Sequence, residues 1–238
     1  YHNTTGANNT ASGYTALHAN TTGTNNAALG NVSLFTNTTG SYNAAVGYGS
    51  LNSNTTGSDN VAFGPQALYA NTDGVKSTAI GAYALRFNTA SGAVAVGHKA
   101  LYMNTTGTDN TAAGYEALMS NTTGGRNVAS GYQTLRNNTT GSNNSASGYR
   151  ALFLNTTGDE NVASGYNALY QNTTGARNTS IGVLSLQQNT TGANIVAVGR
   201  SALKANTTGG DNTAVGYNVL TFNTTGGNNS AFGYGAMD

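Results

Sequence analysis

The sequence predicts an all-β fold, a parallel β-solenoid with one 17-residue coil per repeat. Three observations lead there. The consensus N-T-T-G-x-x-N-T-A-V-G-Y-x-A-L-x-x recurs fourteen times, so residues 1–238 form a single repeat array with no separate domain. That period is too short for a helix pair, whose repeats need more than about 30 residues. The residues between the Gly and Asn punctuation are Thr, Val, Ile, Phe and Tyr, which favour strands.

Consensus positions are numbered one to seventeen. Copies begin at Asn3, Asn20, Asn37, Asn54, Asn71, Asn88, Asn104, Asn121, Asn138, Asn155, Asn172, Asn189, Asn206 and Asn223, taken as coils one to fourteen. The sixth is one residue short between Thr89 and Ala95. Tyr1 and His2 fall at positions sixteen and seventeen of a preceding copy, and both ends lie inside the pattern. A window from a longer array, or one segment of a fibre, is the expectation, because solenoids need polar caps.

Asn-Thr-Thr-Gly, at positions one to four, is expected to make the corner, with Gly supplying positive φ and Asn bonding its own backbone. Position one is Asn in every copy, including Asn3, Asn20, Asn37, Asn104 and Asn121. Identical amides stacked ~4.8 Å apart donate and accept in turn. A ladder along the whole chain is expected there. A second is expected at position seven, interrupted at Ser77, Ile195 and the short copy.

Positions seven to twelve predict the first strand. Ala at nine and Gly at eleven share one face; the Gly row includes Gly13, Gly30, Gly47, Gly114, Gly131 and Gly216. Position ten, on the other face, is apolar in most copies (Leu29, Val46, Phe63, Ile80). Neither face carries charge, so both are expected to be covered, one by the lumen and one by a partner. The Ala and Gly row is expected at a close-packed axis of a symmetric homo-oligomer running along the solenoid. A second short strand is expected over positions thirteen to sixteen. Its Leu residues, among them Leu17, Leu118, Leu169 and Leu203, would supply the core. That core is thin against an ordering cost of ~1–2 kcal/mol per residue, so stacking and association must add to it.

Composition excludes several classes. Charged residues are 7% of the chain and the formal net charge is +1, against roughly 25% charged in an ordinary domain. Nucleic acid is not expected as a partner. No apolar stretch approaches the ~20 residues of a membrane helix, so no insertion is expected. Cysteine is absent, which removes disulfides and thiolate metal sites. No catalytic residue, cofactor or metal is expected. His2, His18 and His98 sit at variable positions judged several coils apart, and metal ligands must converge. Asp159 and Glu160 are sequence neighbours on a loop, not facing carboxylates. The glycines match no phosphate loop.

Two features invite a functional reading beside a structural one. Position twelve carries a Tyr row in which Tyr115, Tyr132, Tyr149 and Tyr166 are consecutive. It offers a glycan contact, or plain ring stacking at a coil edge. Asn-Thr-Thr matches the N-glycosylation acceptor in twelve of fourteen copies, failing at Asp73 and Ala90. The alternative is a corner Asn with a Thr ladder; O-glycosylation of Thr is a further possibility.

The run Asn212-Thr213-Ala214-Val215-Gly216-Tyr217 and its copies resemble the head repeats of trimeric autotransporter adhesins. The longer unit, as in Asn206 to Phe222, resembles repeat arrays of phage tail-fibre-like and bacterial surface proteins. The resemblance covers the whole chain. It implies a left-handed, trimeric β-roll that is extracellular, on a cell surface or a virion fibre, with a cell-surface or glycan receptor. The autotransporter repeat is shorter, nearer 14 residues, and the family's neck, stalk and anchor are missing from this sequence.

The expected function is therefore a structural, non-catalytic segment of an extracellular fibre or adhesin. The alternatives are an ice-binding solenoid, which needs a flat outward Thr face, and a self-assembling filament subunit. A polysaccharide-processing β-helix would need clustered acids, and the charges here are scattered.

Overall fold

A computed structural model describes residues 2–237. Tyr1 and Asp238, both at position sixteen, lie outside the described residues. Two compact units occur, Tyr1–Thr123 and Gly124–Asp238. Each is an all-β parallel solenoid, and among the described residues there is no helix. The first unit carries β1 (Thr10–Ser12), β2 (Ala27–Leu29), β3 (Ala44–Val46), β4 (Val61–Phe63), β5 (Thr78–Ile80), β6 (Val94–Val96) and β7 (Thr111–Ala113). The second carries β8 (Val128–Ser130), β9 (Ser145–Ser147), β10 (Val162–Ser164), β11 (Thr179–Ile181), β12 (Val196–Val198), β13 (Thr213–Val215) and β14 (Ser230–Phe232).

Every strand is three residues long and covers positions eight to ten. Within each unit, successive strands pair in parallel at equivalent positions, as Ala28 with Ala45 and Ala163 with Ser180. Identical coils enforce this register, since a slip would put Ala outside and the larger residues inside.

Beside the buried Asn at one and seven, three small or apolar side chains of each coil fill the lumen. They are Ala at nine, the small residue at fourteen and Leu at fifteen, as Ala112, Ala117 and Leu118 or Ala163, Ala168 and Leu169. This corrects the expected second strand. Positions twelve to seventeen are turn, and positions thirteen and fifteen have positive φ, as Glu116 (53°) and Leu118 (51°), or Asn167 (50°) and Leu169 (53°). An extended strand would send positions fourteen and fifteen to opposite faces. The left-handed residues allow both to enter the lumen. A left-handed L-residue costs roughly 1–2 kcal/mol. Hydrogen bonds between coils oppose that cost: the Leu152 N–H donates to the Ala168 carbonyl (2.9 Å) and the Arg150 N–H to the Tyr132 carbonyl (3.0 Å).

The expected axis is likewise corrected. Position nine points into the chain's own lumen, and the outward residues are positions eight and ten. Gly at eleven is required by the next coil of the same chain. A methyl at Gly30 would lie 2.6 Å from the Gly47 carbonyl oxygen, and φ there is +136°. At Gly13 and Gly131 the same approach is 2.5 Å, to Gly30 and Gly148 respectively. Gly47, Gly114 and Gly216 also have φ between 120° and 142°. The corner Gly at four is selected differently from the expectation. Its φ is not positive; a methyl at Gly23 would overlap the Gly40 carbonyl and the Asn20 amide oxygen. The left-handed corner residue is position six, as Asn25 (57°), Asp109 (57°) and Asn194 (58°).

Gly131→Val is therefore expected to destabilise its unit by about 2–4 kcal/mol, combining backbone strain with overlap. Thr140→Ala, on the exposed corner, is expected to change stability by less than about 0.5 kcal/mol. Urea unfolding of the two variants checks the difference.

Candidate functional surface

Among the described residues there is no pocket and no group of three or more metal-ligating side chains. The repeat gives each unit the same three exposed sides.

The corner is built from amides. In the first unit Asn20 Nδ2 donates to Asn3 Oδ1 (3.0 Å) and Asn37 Nδ2 to Asn20 Oδ1 (2.8 Å). Asn104 Nδ2 donates to Asn88 Oδ1 and Asn121 Nδ2 to Asn104 Oδ1, both at 2.6 Å. In the second unit Asn155 and Asn172 continue the scheme at 2.8 Å. Each Nδ2 spends its other hydrogen on the Gly carbonyl three residues on, as Asn155 to Gly158 (2.9 Å). One link is missing, which corrects the expectation of an unbroken ladder. Asn88 donates to the Ala90 carbonyl instead, and Asn71 Oδ1 is buried without a partner. The sixth copy lacks the residue that would set Asn88 under Asn71.

Position seven forms the second ladder, as Asn161 Nδ2 to Asn144 Oδ1 (3.1 Å). At Ser77 and Ile195 the backbone N–H still donates, to Asn60 and Asn178, and the Ser77 hydroxyl turns to the Ala90 carbonyl. The glycosylation reading meets the same geometry. Asn155 is fully buried and both its amide hydrogens are used, so the folded corner presents no acceptor nitrogen. Position-two hydroxyls donate to the next coil's position-two carbonyl, as Thr38 to Thr55 (3.1 Å), whereas position three is exposed.

The second side is the sheet. Positions eight and ten stand outward and carry no charge. In the first unit they expose Leu29, Val61, Phe63, Ile80 and Val96, with Phe63 at 56% and Leu29 at 53%. In the second they expose Val128, Val162, Ile181 and Val196. Ser and Thr interrupt this apolar series, as at Ser145 and Ser147.

The third side, positions twelve, thirteen and sixteen, is aromatic and cationic. Tyr132 and Tyr149 stack at 5.2 Å and 5°, and Tyr149 and Tyr166 at 5.3 Å and 8°. Tyr115 stacks on His98 at 5.4 Å. Both faces of Tyr149 are thus covered by rings, leaving edges and hydroxyls to solvent, and a saccharide stacks on a ring face.

Sequence reasoning missed the cluster beside this row. Arg86 donates from Nε to Gln66 Oε1 (2.7 Å) and from a terminal nitrogen to the Tyr102 hydroxyl (3.3 Å), and it lies over the Phe87 ring (4.6 Å). Lys99 lies over Tyr102. In the second unit Arg150 donates to Gln133 and lies over Tyr149 and Phe153. The signal was available as Gln at thirteen with Arg at sixteen or at thirteen one coil on. His2 and His18, judged far apart, are in ring contact at 5.3 Å. They occupy adjacent coils, which a count from the first full copy conceals.

Comparison with family models, curated proteins and solved structures finds no match to this chain.

Replacing a ladder amide should cost more than any surface change. Asn155→Ala removes the donor to the buried Asn138 Oδ1 and the acceptor for Asn172 Nδ2, while Gly158 keeps its bond from Asn144, an expected loss of about 2–3 kcal/mol. Thr157→Ala, two residues away and exposed, is expected to lose less than about 0.5 kcal/mol. Thermal unfolding of both measures the ladder directly.

Proposed function

We propose that this chain is a structural, non-catalytic segment of an extracellular fibre or adhesin, whose copies associate through the outward sheet face. The observation that carries the reading is the uncharged stripe at positions eight and ten. It carries no charge along the length of each unit, and Leu29, Val61, Phe63, Ile80, Val162 and Ile181 stand exposed on it between Ser and Thr. Three copies around an axis parallel to the solenoid would bury all three stripes together, in line with the resemblance to trimeric adhesin heads. This assigns the interface to the larger residues, Val61, Phe63, Ile80, Val162 and Ile181, with the Ala row serving the lumen of each chain.

A charge-poor, regularly stacked solenoid in each unit suits the mechanical task of holding a tip away from a surface. Proteolysis and denaturation begin at loops and frayed elements, and each coil here is tied to the next at most of its backbone N–H groups. A receptor contact would fall on the aromatic side away from the sheet, at position sixteen, as Phe153 and Tyr170.

One observation favours a second reading, an ice-binding solenoid: the outward face presents two straight columns of small and β-branched residues at a fixed repeat. Against it, Thr stands in the outward columns only at Thr10, Thr78, Thr111, Thr179 and Thr213, and Phe63 and Phe232 interrupt the surface.

The native particle mass tests the proposal. Light scattering is expected to give about three times the 24.0 kDa chain. A stable 24.0 kDa monomer with thermal hysteresis would replace the fibre reading with the ice-binding one. A very large polydisperse mass would point to an end-to-end filament.

A further inference from the structure

The outward sheet face has two flanks. Position six borders it on one side and positions twelve and thirteen on the other, because the strand occupies eight to ten. Read around the coil instead of along the chain, the charges are ordered. Position six is acidic at Asp59, Asp109, Glu160 and Asp211, in coils four, seven, ten and thirteen. It is basic at Lys76, Arg126 and Arg177, in coils five, eight and eleven. All seven residues are exposed and left-handed. The opposite flank is basic at Lys99, Arg150 and Arg200, in coils six, nine and twelve. Both flanks thus carry a three-coil period, and the cations of one run one coil behind the acids of the other.

No group in this set is used up within its own chain. Among the described residues Lys99, Arg150, Arg200, Asp109, Glu160 and Asp211 form no intrachain ion pair. Their neutral partners are Gln133 for Arg150, the Tyr217 hydroxyl for Arg200 and Asn194 for Asp211.

We infer that copies of this chain lie flank to flank around an axis parallel to the solenoid, the cationic flank of one against the position-six flank of the next, one coil ahead. Lys99 then faces Asp109, Arg150 faces Asp159 and Glu160, and Arg200 faces Asp211 of the neighbour. The inference rests on the proposed association through the sheet face and adds its direction and register.

Rotation about such an axis keeps the copies at equal height. Position six of the following coil lies ten residues beyond position thirteen, a rise of about 3 Å at the ~4.8 Å spacing of coils. Position six of the same coil lies about 2 Å below. Backbone geometry therefore permits either register, and charge decides between them. The same-coil register sets Lys99, Arg150 and Arg200 against Gly92, Asn143 and Asn194, and Glu116 against Asp109. A twofold axis across the solenoid would instead bring each flank against its own kind. Exposed charge pairs add little strength, but they exclude wrong partners and fix register.

The chain has no cysteine, so single-cysteine variants report the register cleanly. R150C is refolded with E160C, and separately with N143C; positions 143 and 160 are both left-handed corner residues, so the strain is matched. After mild oxidation, the R150C and E160C mixture is expected to give at least about tenfold more covalent dimer than the R150C and N143C mixture. Equal or greater cross-linking with N143C, or none with either while light scattering gives an oligomer, overturns the register and leaves the association standing. A monomer by light scattering overturns the association itself. As a second readout, R150E is expected to weaken assembly and R150E with E160R to restore it; failure of the double variant to recover counts against the pairing.

Discussion

Everything in this molecule depends on one coil lying on the next with almost no space between their backbones. At position eleven the Gly carbonyl of one coil occupies the place a side chain would need in the coil before it, and at position four the same holds beside the Asn amide. Once the separation is that small, each polar group must find its partner directly along the stack. The position-two carbonyl is the clearest case. Thr55 oxygen accepts the N–H groups of Thr38, Thr39 and Gly40 and the Thr38 hydroxyl. Asn at position one meets the same demand with a side chain that donates and accepts at once, so each copy satisfies its predecessor and is satisfied by its successor.

This division explains which parts were legible in the sequence. The period, the parallel strands and the Asn ladders follow from residues that stack on themselves, and a stack of identical residues has one arrangement. The lumen was harder. Ala at nine with Gly at eleven suits either a narrow lumen or a crowded axis between chains, and alternation alone does not say which face of a strand is inside. The structure decides it through the neighbours: Ala117 and Leu118 lie on the same side as Ala112. The left-handed Leu residues were not legible at all. Leu is among the residues least expected at positive φ, and only the closed path of the coil imposes it.

The outer surface carries what the stack leaves free to vary. Positions six, twelve, thirteen and sixteen differ from copy to copy because nothing above or below constrains their tips. Charges that look scattered along the chain become ordered once they are projected around the coil. The Gln66–Arg86–Tyr102 cluster was missed for the same reason, since its members lie 16 and 20 residues apart and no local motif joins them.

That cluster also has a structural meaning fixed by its location. Coil six is the one short copy, and at its junction with coil five the position-one ladder fails, leaving Asn71 Oδ1 buried and unpaired. Such a group costs about 1–3 kcal/mol. In a stacked array the loss falls on one interface and does not spread, and the ladder resumes at once between Asn88 and Asn104. Gln66, Arg86 and Tyr102 belong to coils four, five and six, and of their hydrogen bonds the one from Arg86 to the Tyr102 hydroxyl crosses the faulty junction. Phe87 and Tyr102 cross it as well, with ring centroids 5.1 Å apart. The Arg86 guanidinium also lies 5.9 Å from the Tyr102 ring centroid across the junction, a contact worth about 0.5–1 kcal/mol at an exposed site. Surface side chains thus add, at this junction, to backbone hydrogen bonds that persist across it, as from Leu85 to Ala100 and from Gly92 to Val75.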